Sequence, residues 1–282
     1  MKKASIIVFI GCALFFTSCT EDNNTTIEFE TDEAISLNNL SYGDNAKQIY
    51  DIYLPKNRTQ DTKVILLIHG GGWTSGDKID MNGFKDFIKT ELPNIAVVNM
   101  NYRFANNTTS PYPMQINDIS SLINLLKEKR SAYQISNSIG LIGVSAGGHL
   151  GLLWSYAHDN EQQVKMVCSI VGPTNLLDDA YQNSTDPVIN DLIGLFGNDE
   201  QNLQNASPLY QLNANSPPTI LFYGGQDPLI PNAQGVALNT RLTELDVIHE
   251  FTFYQNEGHG WVGLNLLDTS IKLKSFIENN LN

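Results

Sequence analysis

The chain has 282 residues, with 17 Lys and Arg against 30 Asp and Glu, for a formal net charge of −13. Apolar residues make up 41% and charged residues 17%, which is too apolar and too weakly charged for a disordered chain. With no cluster of Lys or Arg after residue 3, nucleic acid is excluded as a natural partner.

Lys2 and Lys3 precede an apolar run from Ile6 to Phe16. That run is too short to cross a bilayer core of ~30 Å, which takes about 20 residues, so residues 1–18 read as a secretory signal. Its end, Phe16-Thr17-Ser18-Cys19, resembles a bacterial lipoprotein signal. The resemblance implies cleavage before Cys19, a lipid on that cysteine and membrane attachment in the cell envelope. An ordinary signal peptide with a coincidental Cys is the alternative. Cys12 would leave with the signal, so Cys168 is the one remaining thiol and reads as a small buried hydrophobe. Residues 20–46 hold seven acidic residues and no Lys or Arg, and residues 19–40 are expected to form a flexible acidic tether. Glu21 and Asp22 resemble the surface-export signals of some bacterial lipoproteins, which makes the outer-membrane surface one expected address.

Residues 41–282 read as a single domain in which strand and helix patterns alternate. Gln48 to Leu54 alternates and stops at Pro55, as an edge strand would. Val64–Ile68, Ile95–Met100 and Ile139–Val144 are continuous apolar runs, expected of strands covered on both faces. Val164–Val171, Thr219–Tyr223 and Val247–Tyr254 read as further strands. Helices are predicted over Phe84–Leu92, residues 115–130, Ala146–Ala157, Ala233–Leu245 and Leu266–Leu281. Such alternation predicts an α/β fold, a mostly parallel sheet flanked by helices. Residues 172–216 break the rhythm with Asn, Asp, Pro and Gly around one apolar piece, Val188–Phe196. They read as an excursion, either a lid or an irregular surface loop.

Gly143-Val144-Ser145-Ala146-Gly147 follows an apolar strand and opens a helix, the setting of a G-x-S-x-G elbow that lifts a Ser hydroxyl above the sheet. His69-Gly70-Gly71-Gly72-Trp73 follows the strand Val64–Ile68 and leaves bare backbone N–H groups beside that elbow. The candidate oxyanion donors are Gly71, Gly72 and Ala146. Among five histidines, His259 lies on a glycine-flanked loop after the last strand and is the candidate base. His149, four residues past the Ser, points along the helix instead, and His69, His158 and His249 read as structural. Asp227, after the strand Thr219–Tyr223, completes the order Ser, Asp, His. Asp178, Asp179, Asp186 and Asp191 fall in the excursion.

Together with Tyr50–Pro55, Asn101-Tyr102-Arg103 and Gly224–Asp227, these motifs resemble α/β-hydrolases of the esterase/lipase type over residues 41–280. Hormone-sensitive-lipase-like carboxylesterases are similar, as are bacterial esterases acting on acetylated or feruloylated polysaccharides. The resemblance implies an α/β-hydrolase fold and a serine carboxylesterase that works through an acyl-enzyme on small-molecule or glycan esters, without metal or organic cofactor. Amide, formamide or peptide hydrolysis on the same fold and a noncatalytic binding lipoprotein are the alternatives. Trp73 and Trp261 flank the catalytic loops and are candidates for the substrate pocket or for the core. Val144 stands where many relatives carry Asp or His.

Overall fold

The computed structural model describes residues 30–281. The expected signal, Cys19 and the tether up to residue 29 lie outside the described residues. Eight strands form one sheet: β1 (Ile35–Ser41), β2 (Ile49–Leu54), β3 (Val64–Ile68), β4 (Ala96–Met100), β5 (Ile139–Val144), β6 (Val164–Ile170), β7 (Thr219–Gly224) and β8 (His249–Tyr254). Their order is β1-β2-β4-β3-β5-β6-β7-β8. β2 pairs antiparallel with β1 and β4, and all other pairs are parallel. With helices between the parallel strands, this is the α/β-hydrolase arrangement expected from the motifs.

The parallel strands sit in the middle because their side chains suit burial on both faces. Every residue of β3 and β4 is buried, as is all of β5 except Val144. The helices are α1 (Asn82–Glu91), α2 (Pro111–Tyr133), α3 (Ala146–Ala157), α4 (Asp179–Gln182), α5 (Pro187–Gly194), α6 (Glu200–Asn205), α7 (Pro208–Gln211), α8 (Asn232–Glu244) and α9 (Gly263–Asn280). On α2 the predicted stripe of Ile116, Ile119, Ile123 and Leu126 is buried. The same helix buries Asp118, which accepts from Arg103 Nη2 at 2.6 Å, the Arg103 backbone N–H at 2.8 Å and Gln48 Nε2 at 2.9 Å. A buried carboxylate with this many donors stays satisfied, and it ties the chain after β4 to α2.

Two expectations change. Residues 35–40 are not tether: they belong to β1, whose Ile35 and Leu37 oppose Leu54 and Ile52. Arg58 Nη1 also donates to the Glu33 carbonyl at 3.0 Å, fixing the approach to β1. Acidic composition hid a strand whose inner face is only half buried. Consequently β2 is not an edge strand; β1 covers it. The excursion at 172–216 is not irregular either, because it folds into the four short helices α4 to α7.

Candidate active site

Parallel pairing brings the predicted residues to one edge of the sheet. Ile68 is in register with Gly143, Val144 with Ile170, and Gly224 with Tyr254. The segments leaving the carboxyl ends of β3, β5, β7 and β8 therefore emerge side by side, the usual place for a site in such a sheet.

Ser145 occupies the turn between β5 and α3 with φ 54° and ψ −122°, a strained conformation for a residue with a Cβ. The turn is possible because glycines lie two residues to either side of it, at Gly143 and Gly147. A Cβ on Gly147 would sit 2.1 Å from the Ile68 carbonyl oxygen, so only glycine lets the chain after β3 pass over the start of α3. His259 Nε2 lies 2.9 Å from Ser145 Oγ, and His259 Nδ1 lies 2.8 Å from Asp227 Oδ2. The other carboxylate oxygen, Asp227 Oδ1, accepts the backbone N–H groups of Leu229 at 2.8 Å and Ile230 at 3.0 Å. The Asp227 side chain is 1% exposed. The proton bonded to Asp227 is therefore on Nδ1, which leaves Nε2 as an acceptor toward Ser145.

Gly71, Gly72, Ala146, Ser145 and His259 all line one cavity of about 480 Å³. Gly71 and Gly72 both have positive φ, and among the described residues neither their N–H groups nor that of Ala146 has a protein acceptor. The three donors are thus free, and Ala146 opens α3, where the helix dipole also favours negative charge.

The glycine loop is held from behind. The Tyr102 hydroxyl donates to the His69 carbonyl at 2.8 Å, and the two rings stack at 4.2 Å. Gln115 Nε2 donates to the Trp73 and Arg103 carbonyls, each at 2.7 Å. Asn101 accepts the Lys78 N–H at 2.6 Å. The Asn101-Tyr102-Arg103 motif therefore supports the loop from the end of β4.

The His149 ring is bonded to groups other than the Ser hydroxyl. It accepts from Trp73 Nε1 at Nδ1 (3.2 Å) and bonds the Ala206 carbonyl through Nε2 (2.7 Å). It thereby ties the glycine loop to the turn between α6 and α7. Burial in this aromatic setting lowers its pKa to about 4. An unfolded His takes its proton near 6.5, so the native state loses stability as pH falls from roughly 6.5 toward 4, by at most about 3 kcal/mol. Burial lowers the pKa of His69 as well and acts in the same direction. Urea midpoints are expected to drop across this window and to drop less steeply in His149→Gln. An equal slope in that variant would contradict the assignment.

Of the remaining histidines, His158 ends α3, and His249 on β8 bonds Thr243 Oγ1 at 3.2 Å and the Val247 carbonyl at 2.7 Å. Asp178 and Asp186 cap α4 and α5. The Cys168 thiol is fully buried, and burial pushes its pKa up.

Trp73 lines the cavity; Trp261 does not. The Trp261 indole lies against Tyr254 at 4.9 Å and its N–H donates to Thr269 Oγ1 at 2.8 Å, so its role is to pack α9 on the β8 exit. Sequence reasoning missed most of the cavity wall: Met81 and Phe84 on one side, and Tyr181, Ile189, Leu192 and Ile193 from the excursion. Leu192 comes so close to Gly72 that a Cβ there would meet its Cδ2 at 2.7 Å. The apolar stretch Val188–Phe196 was the one signal that α5 covers something. Asp80, exposed and on the cavity lining, is the only carboxylate of that lining.

The BD-FAE family model matches residues 50–242. The esterase LipC of Mycobacterium tuberculosis is 23% identical over 220 residues, covering 71% of this chain and 53% of that protein. A probable isoprenylcysteine alpha-carbonyl methylesterase of Arabidopsis thaliana is 24% identical over 249 residues, 78% of this chain and 50% of that one. The chain thus spans about half the length of the curated relatives it matches. Among solved structures, a truncated carbohydrate esterase from gut microbiota superimposes with a TM-score of 0.71 at 21% identity, covering 88% of this chain and 98% of that one. An esterase of Thermogutta terrifontis gives 0.71 at 18% identity, covering 89% and 95%. At these identities the structural likeness shows the α/β-hydrolase fold.

Proposed function

We propose that this chain, which belongs to the BD-FAE family, is a serine carboxylesterase with Ser145, His259 and Asp227 as its catalytic triad. The observation that carries the reading is the unbroken relay from Asp227 Oδ2 to Ser145 Oγ, opening on the same cavity as three unpaired N–H groups.

Ser145 Oγ attacks the ester carbonyl carbon as His259 Nε2 takes its proton. The new oxyanion accepts from the N–H groups of Gly71, Gly72 and Ala146, each such donor being worth roughly 10²–10³ in rate. Asp227 stabilises the imidazolium by accepting its Nδ1–H, and two backbone donors keep the carboxylate aimed. His259 then returns the proton to the leaving alcohol, which departs as the acyl-enzyme forms. Water repeats the sequence and frees the acid. No metal or organic cofactor enters these steps.

The cavity supports a substrate with a bulky apolar part. Its volume far exceeds an acetyl group, and Trp73, Met81, Phe84, Leu192 and Leu229 make its wall. Feruloylated glycans or other small aryl or alkyl esters suit it better than acetyl esters alone. The Asp80 carboxylate and the charge of −13 disfavour anionic esters.

Turnover of 4-nitrophenyl butyrate, an aryl formamide and a dipeptide amide, measured side by side, tests the reaction class. The ester is expected to be hydrolysed fastest. Activity on the formamide with none on the ester would make the chain an amide hydrolase, and inactivity on all three would favour a binding protein. For location, we propose export and lipid anchoring at Cys19 on the cell envelope, supported by the signal-like residues 1–18. The Cys19→Ala variant is expected in the soluble fraction; full retention in membranes would contradict the anchor.

A further inference from the structure

Gly71, Gly72 and Trp73 have positive φ in succession, at 113°, 56° and 62°, and Trp73 is the one residue of the three with a side chain. The Gly71 carbonyl accepts the N–H groups of Thr74 at 3.1 Å and Ser75 at 3.0 Å, and the Ser75 hydroxyl at 2.9 Å. Gly72 and Trp73 are thus the central pair of a tight turn of the I′ kind, which needs positive φ at both positions. This turn aims an oxyanion donor. The peptide between Gly71 and Gly72 is planar and trans, so holding its carbonyl on Thr74 and Ser75 sets the opposite direction for the Gly72 N–H.

Glycine takes up that geometry without steric cost. A left-handed Trp is strained and persists only where its surroundings hold it. Trp73 is held at both ends. Its carbonyl accepts from the Ala105 N–H at 2.9 Å and from Gln115 Nε2 at 2.7 Å. Its indole N–H donates to His149 Nδ1 at 3.2 Å, and the ring meets His149 and Phe196 edge to face, with centroids 5.4 and 4.9 Å apart. The Ala206 carbonyl only accepts, so the proton of the neutral His149 ring is on Nε2 and Nδ1 is left as the acceptor for Trp73. Burial lowers the His149 pKa to about 4 and keeps the ring in that neutral form. A fully buried imidazole is costly unless both nitrogens are paired, and here one of its two partners is the indole of the oxyanion turn. Phe196 and Ala206 come from the excursion, so the segment that walls the cavity also braces this link.

We propose that His149 is a positioning residue of the oxyanion hole. By accepting the Trp73 indole N–H it keeps Trp73 in its left-handed conformation, and through the turn it keeps the Gly72 N–H aimed at the oxyanion. The imidazole itself touches no reacting atom. The proposal rests on the ester-hydrolase reading, and its test separates the two.

His149→Leu, His149→Asn and Trp73→Phe are compared with wild type on 4-nitrophenyl butyrate and on the inhibitor 1,1,1-trifluorooctan-2-one. Ser145 Oγ adds to the ketone carbon, the Ser proton passes to His259, and the carbonyl electron pair becomes an oxyanion that needs the same donors as the reaction. His149→Leu is expected to lower kcat by roughly tenfold to hundredfold, less than the 10²–10³ for a donor removed outright. Affinity for the ketone is expected to weaken by the same factor while KM stays within about twofold, because the interaction lost belongs to the tetrahedral species. His149→Asn puts an amide oxygen near the place of Nδ1 and is expected to recover most of the loss. Trp73→Phe keeps a ring but removes the donor, and it is expected to fall as His149→Leu does, with the double variant no worse than either. A folded His149→Leu protein with kcat within about twofold of wild type, a loss confined to KM, or a His149→Asn protein no better than His149→Leu would overturn the proposal. If His149→Leu does not fold, Trp73→Phe decides: parallel losses in kcat and ketone affinity support the proposal, and wild-type kcat overturns it. A wild-type protein that neither hydrolyses the ester nor binds the ketone would overturn the ester reading itself.

Discussion

Ser145→Ala is expected to lower kcat on any ester the protein turns over by roughly 10⁶, the loss seen when a triad serine is removed. In the proposed mechanism this residue supplies the nucleophile, and neither of the nearest alternatives among the described residues can replace it. Cys168 is fully buried in β6, and the His149 ring is committed to Trp73 and Ala206. The substitution removes one oxygen and leaves the Cβ, so the strained turn at φ 54° is neither relieved nor worsened. Circular dichroism and the melting temperature should therefore stay close to wild type, and a residual rate above water is expected from the oxyanion donors. A well-folded Ser145→Ala protein retaining a tenth of its activity would defeat the assignment.

Asp227→Asn is expected to cost roughly 10⁴ in kcat, and the reason lies in the hydrogen-bond inventory. Asp227 Oδ1 is held by the N–H groups of Leu229 and Ile230. In the variant the amide oxygen must remain there, because an NH₂ group cannot accept. The NH₂ group then faces His259 Nδ1, which has to give up its proton and become the acceptor. The remaining ring proton moves to Nε2 and points at Ser145 Oγ, so the ring cannot take the hydroxyl proton. This loss is one of tautomer, so raising the pH should not recover it. Asp227→Asn with more than a tenth of wild-type activity at alkaline pH would mean that another group orients the base.

The central strands and the elements that carry the candidate triad were legible because local sequence decides them. Val64–Ile68 and Ile139–Val144 are apolar runs that suit a strand covered on both faces; Ser145 sits where the second run ends, and the glycine-flanked His259 lies on the loop after the last strand pattern. β1 was not legible, since its Ile, Leu and Asn alternate loosely within an acidic stretch and its pairing depends on β2, whose partner residues lie between 8 and 19 positions further along the chain. The helices α4 to α7 are four to eight residues long and open on Asp178, Asp186, Asp199 and Ser207. Those capping residues and prolines are the same that mark loops, so composition alone favoured a loop. Beyond Trp73 and the glycine loop, the cavity wall could not be read from spacing, because Phe84, Tyr181 and Leu192 meet only through the fold. Trp261 shows the converse: proximity to His259 in sequence suggested the pocket, while Tyr254 and Thr269 hold the ring on the other side of the loop.

The central claim is that Ser145 becomes acylated while His259 acts as its base. It is tested most directly by reacting the protein with a fluorophosphonate and mapping the adduct by peptide mass spectrometry. One adduct per chain is expected, on the peptide containing Ser145, with loss of ester turnover in step with labelling. The Ser145→Ala protein should remain unlabelled, and His259→Gln should label far more slowly than wild type. Labelling at another residue, or full turnover by a protein stoichiometrically modified at Ser145, would contradict it.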